Sequence, residues 1–165
     1  MAGEIWILWT IRLSMFLYAI FLICMITRKQ RSLQRWTWTV ACFFFFLHFL
    51  AAFHFYHHWS HTHAFEDTAK QTLATIGLPF GAGIYFSYLF LLMWIADVCW
   101  WWLRKDAYEQ RQFWVTAVIH GFIFFIAFNG TIVFEDGAIR WAAILTCLLL
   151  IGLVINRFMI RRADP

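Results

Sequence analysis

The chain has 165 residues; 63% are hydrophobic, 22% aromatic and only 13% charged, with a net charge of +4. A soluble domain of this length needs a charged surface, and these charges are too few to make one. The basic excess also forms no patch interleaved with aromatics on a soluble face, so no nucleic-acid partner is expected.

Five runs are long enough to cross a bilayer, which takes about 20 helical residues. They cover residues 5–27, 36–59, 78–103, 113–134 and 138–155. Backbone groups in hydrocarbon must be satisfied within the segment, so each run is read as a helix. The runs are too continuously apolar for barrel strands, which alternate over about ten residues. The expected fold is an all-α integral membrane protein: a single domain, residues 1–165, forming a bundle of five transmembrane helices in contact with lipid.

The first run opens "MAGEIWILW", with neither the basic n-region nor the small-residue cleavage site of a signal peptide, and is read as a retained span. Arg12 within it is costly at mid-membrane and is expected to face the bundle interior, with snorkelling or a bond to Asn129 as alternatives. The loop "RKQRSLQR" follows, carrying Arg28, Lys29, Arg31 and Arg35.

The second run contains Phe43 to Phe46 and His48, and ends in "HFYHHWSHTH", residues 54–63. If the helix continues through this stretch, His54, His57, His58 and His61 follow i, i+3, i+4, i+7 and share one face. His63, Glu66 and Asp67 come next. Neutral imidazole is the commonest transition-metal ligand, and carboxylates can complete a mixed shell for zinc, copper or iron. The same boundary holds Tyr56 and Trp59, so a ligand-free interfacial belt is the competing reading. "HFYHH" has the spacing HxxHH, and over about ten residues the segment resembles one histidine box of the membrane di-iron desaturases and hydroxylases. Those enzymes bring several boxes together on the cytoplasmic side. Here one cluster stands alone on the opposite side, so the activity is not carried over.

Residues 60–77 form the longest loop. Phe65, Ala69, Leu73 and Ile76 fall near helical spacing, which suggests that the second helix extends past the bilayer and lies amphipathically on its surface. Gly77 and Pro79 mark re-entry, and Gly81 and Gly83 suggest a close helix approach. The third run carries Asp97 and the Trp100–Trp102 anchor, then Arg104, Lys105 and Arg111 follow. The fourth run carries His120. Beyond the fifth come Arg157, Arg161 and Arg162. The basic loops all lie at one end, which is therefore expected to be cytoplasmic, with the N-terminus outside. Short basic loops and small size suggest a bacterial inner membrane. Cys24, Cys42, Cys99 and Cys147 lack pair spacing and read as packing residues rather than a disulfide.

At about 1.5 Å per residue, His48 lies about 18 Å and His120 about 10 Å from the cytoplasmic boundary. Two inward imidazoles at similar depth can ligate a b-type haem, with Arg12 as propionate partner. Alternatively Asp97, about 9 Å deep by the same count, pairs with His120 as a structural clamp or proton relay. Three functional readings follow. One is a metal protein, with redox, hydrolytic or metal-transfer roles as alternatives, working with other membrane subunits or a periplasmic redox or metal partner. The second is a cytochrome subunit. The third is a structural or assembly subunit without cofactor.

Overall fold

The computed structural model describes residues 2–163. The regular structure of those residues is all helical, in the order α1 (Ala2–Ile26), α2 (Arg31–Phe55), α3 (His61–Ile76), α4 (Gly83–Leu103), α5 (Lys105–Glu109), α6 (Phe113–Phe128) and α7 (Gly137–Ala163). A π-turn, Asn129–Val133, continues α6. Five segments are long and apolar enough to cross a membrane: Gly3–Ile26, Arg31–Phe55, Gly83–Leu103, Phe113–Val133 and Gly137–Ile160. The architecture is that of a helical membrane bundle, with short connections joining antiparallel neighbours.

α1 and α2 make the most extensive pair, α2 packs on α4, α4 on α6, and α7 returns against α1 and the π-turn. Polar groups tie α1 to α2 where hydrophobicity gives no preference among apolar partners. The Ser14 hydroxyl donates to the Ala41 carbonyl at 2.8 Å, and Gln34 Nε2 donates to the Cys24 and Lys29 carbonyls at 3.2 and 2.8 Å. Gln34 thereby ties the first turn of α2, which begins at Arg31, one turn before its apolar run, to the last turn of α1 and the loop after it. Arg157 of α7 donates to the Ile26 carbonyl at the same end, which draws α7 past its expected stop at residue 155.

The centre of the bundle is aromatic. Trp38 and Trp94 are fully buried, with ring centroids 4.7 Å apart, and Phe21, Tyr18 and Phe90 close around them. Into this core project charges. Asp97 accepts from Trp38 Nε1 (2.9 Å), the Tyr108 hydroxyl (2.9 Å) and Arg111 Nη1 (2.5 Å). Arg111 Nη2 in turn donates to His120 Nε2 at 3.2 Å. The direct Asp97–His120 pair expected from depth alone is thus corrected: Arg111 stands between them. Arg111 reads as a loop cation in the sequence, yet its side chain is 6% exposed and lies 3.8 Å over the Tyr108 ring. The short helix α5 makes this possible, because it turns Tyr108 inward to stack on Trp101 at 4.5 Å. Burial, and then the Asp97 carboxylate, push the Tyr108 hydroxyl well above its ordinary value, so it stays protonated and donates.

Removing one partner of a buried ion pair leaves the other uncompensated, at a cost of about 3–5 kcal/mol. Asp97→Asn or Arg111→Gln is therefore expected to destabilise the bundle by about that amount, read from denaturant titration in detergent micelles. The double replacement Asp97→Leu with Arg111→Met should recover much of the loss, and a purely additive outcome would remove the ionic core from this account.

Candidate metal centre

α2 does not run on through the histidine-rich stretch. It stops at Phe55, and residues 56–60 form a turn in which His58 (φ 47°) and Trp59 (φ 59°) adopt left-handed conformations. The carbonyls of the last turn are closed by Tyr56 N–H and His57 N–H to Ala52 O and by Trp59 N–H to Phe53 O. Ser60 then caps α3, its Oγ accepting from the His63 N–H at 3.2 Å. A serine at an N-cap satisfies one of the open N–H groups of a new helix, which competes with continuation of the old one.

α3 is held by contacts with α4. Ala64 is fully buried, and the Thr72 hydroxyl accepts from Phe80 N–H at 2.8 Å. A Cβ on Gly81 would lie 2.4 Å from the Phe65 ring, and one on Gly83 would lie 3.0 Å from Thr68. The glycines do mark a close approach, and its partner is α3. Gly77 ends the helix at φ 75°.

The break replaces the one-face stripe with a different grouping. His57, ahead of the new cap, meets His63 and Asp67 on the first turns of α3, and ligand atoms of all three lie within 4.8 Å of one another. His57 Nδ1 is 3.4 Å and His63 Nε2 is 3.7 Å from the same oxygen of Asp67. A tetrahedral ion at about 2.0–2.1 Å from each donor separates the donors by about 3.4 Å. Two of the distances match that already.

The other predicted ligands lie outside the trio. His54 packs on Phe55 and Trp59 at ring distances of 4.7 and 6.3 Å. His61 points to α4, with Nδ1 2.9 Å from the Tyr88 hydroxyl and Nε2 3.2 Å from that of Tyr85, so both ring nitrogens are engaged. Glu66 is exposed and in no ion pair among the described residues. His58 lies alongside, its ring 6.3 Å from that of His63 and nearly parallel to it.

Electrostatics favour ligation. Burial, only partly opposed by Asp67, holds His57 below its ordinary imidazole value, so its ring is neutral with a free lone pair. His57 Nδ1 is buried without a hydrogen bond; at 3.4 Å it is near Asp67 but poorly aligned. Burial of Asp67 works against its ionisation. The hydrogen bond from Lys70 (3.2 Å) and the neighbouring His63, Lys70 and His57 outweigh that, and the carboxyl stays below its ordinary value. Lys70 engages Oδ1 and leaves Oδ2 facing the imidazoles.

The haem-ligand residues are placed differently from expectation. His48 Nδ1 donates to the Ile7 carbonyl at 3.0 Å, and His120 Nε2 is taken by Arg111. A continuous run of rings, His48–Phe45–Trp94–Trp38–His120, fills the space between the two imidazoles. These residues do not fit a haem held between them. Arg12 is exposed rather than buried, 5.8 Å from the centroid of the Trp9 ring, and Asn129 instead donates to Phe125 O of its own helix at 2.7 Å.

The Ser60 cap was not anticipated from the sequence, although Ser followed by a helix-periodic run is a start signal. Because its bond goes to the His63 N–H, Ser60→Ala should cost about 1 kcal/mol. It should also weaken metal binding through His63, measured by competition against a chromophoric chelator. Unchanged affinity would show that the cap does not position His63. The chain matches no protein family, and no curated protein or solved structure shows significant similarity to it.

Proposed function

We propose that this is a small polytopic membrane protein that binds one transition-metal ion, zinc, copper or iron, through His57, His63 and Asp67. The observation that carries the reading is the convergence of these three groups across the α2–α3 break, with the buried His57 Nδ1 left without a hydrogen bond. A merely interfacial histidine would turn that nitrogen to water.

Three protein ligands leave a coordination position for water or an incoming molecule, as in exchangeable and catalytic sites rather than closed structural ones. Bound there, the ion would supply Lewis acidity or, for copper and iron, electron transfer. The chain's own contribution is orientation. Ser60 fixes the backbone of His63, Lys70 holds the far oxygen of Asp67, and the aromatic ring of Phe53, 5.3 Å from that of His57, sets the imidazole edge-on. By the distribution of basic loops, the site opens on the outer side of a bacterial inner membrane, where a soluble redox or metal-carrying partner can reach it.

Elemental analysis and zinc titration of the detergent-purified protein test this. One ion per chain is expected. His57→Ala, His63→Ala and Asp67→Asn should each weaken binding by more than about tenfold, in line with the loss of one of three ligands. His54→Ala and Glu66→Gln should leave it unchanged. Equal losses across all five variants would point to diffuse binding by a histidine-rich surface and overturn the assignment.

A further inference from the structure

A cavity of about 280 Å³ lies in the seam where α1, the end of α6 and α7 meet, and it is open on one side. Its walls are mostly apolar, including Ala19, Leu22, Ala127, Ala143 and Leu150. Its one charged lining residue is Arg12. The seam runs from Arg12 to Leu22 on α1, about 15 Å of helix, and from Ile139 to Leu150 along α7 beside it. Thr131 of the π-turn also lines it, and such turns widen a helix and often sit at functional places.

Two polar groups in this seam lack partners. Among the described residues no carboxylate pairs with Arg12, whose guanidinium lies toward the Trp9 ring, one turn nearer the N-terminal face. The Tyr18 hydroxyl is buried and without a hydrogen bond, on the same wall. A charge exposed within a span is expensive unless an anion or water reaches it. Arg12 lies about 14 Å from the Gly3 end of its span, and its upward reach brings the charge to the edge of the headgroup zone. A cation at the top and an apolar trough beneath it match one chemistry.

We infer that this seam is a phospholipid site, in which Arg12 pairs with the phosphate and an acyl chain lies between α1 and α7 along the trough below it. Basic pockets between membrane helices bind lipid headgroups on the same grounds. The lipid would supply packing that α7 lacks, since α7 leaves Leu145, Leu148, Leu149 and Ile151 exposed and touches the bundle mainly along this seam.

The protein is placed in nanodiscs of phosphatidylcholine and phosphatidylglycerol containing a trace of phospholipid with a diazirine in its acyl chain. After illumination, labelled peptides are mapped by mass spectrometry. Labelling should concentrate on Ala143, Cys147 and Leu150 above that of the outward residues Leu145 and Leu149. Arg12→Gln should reduce this excess by about tenfold, as expected for the loss of one charge-assisted contact. Arg12→Lys should keep most of it, and Ala143→Leu, which fills the trough, should remove it. Even labelling around α7, or an excess that survives Arg12→Gln, overturns the proposal. A diazirine fatty acid labelling the seam as strongly as the phospholipid also overturns it, in favour of a free carboxylate ligand. Helical circular dichroism and a monodisperse gel-filtration profile in detergent report that each variant is folded.

Discussion

The buried carboxylate of Asp97 is the constraint around which the bundle is organised. In a membrane, apolar helices gain little from contacting one another rather than lipid, so polar contacts carry much of the choice of neighbours. Asp97 on α4 takes bonds from Trp38 on α2, from Tyr108 on α5 and from Arg111 just beyond it, and Arg111 passes the connection to His120 on α6. One carboxyl group thereby sets the rotation of α2, α4 and α6 about their axes. The tryptophan pair at the centre follows, because Trp38 is both a donor to Asp97 and the ring against which Trp94 and Phe21 pack.

At the other end of the molecule order has a different source. There the chain leaves the spans and re-enters them through α3, and the geometry is decided by caps and small residues. Ser60 starts the helix, Gly77 ends it, and Gly81 and Gly83 admit Phe65 and Thr68 against the beginning of α4. His61 adds a bridge to Tyr85 and Tyr88. The histidines divide the labour: His61 docks the helix, while His57 and His63 are left facing Asp67.

The spans were legible because twenty apolar residues in succession have few other uses. Their ends were less so. α2 begins at Arg31, where Gln34 bonds the Cys24 and Lys29 carbonyls, contacts no periodicity reveals. Asp97 and His120 could be picked out as costly residues at one depth, but Arg111 could not, since a loop arginine ordinarily stays in water and only the fold of α5 turns this one inward. In the histidine stretch the spacing i, i+3, i+4, i+7 was real and misleading. It describes a helix that Ser60 and the preceding turn interrupt, and only His57 of that set joins the cluster. His63 and Asp67 stand i, i+4 on α3, a relation that brings them together only because Ser60 starts a new helix. Arg12 is anomalous in an apolar span, and its position on the outside of the bundle depends on packing that composition does not encode.

The turn between α2 and α3 holds His58 and Trp59 at positive φ without a glycine in either place. Such residues cost of the order of 1–3 kcal/mol each, and here the docking of α3 against α4 sustains them. The strained turn sits between the two halves of the trio, His57 on one side and His63 with Asp67 on the other. The spacing of the ligand atoms is therefore set at a distance, by the close approach of Phe65 to Gly81 that holds α3 in place.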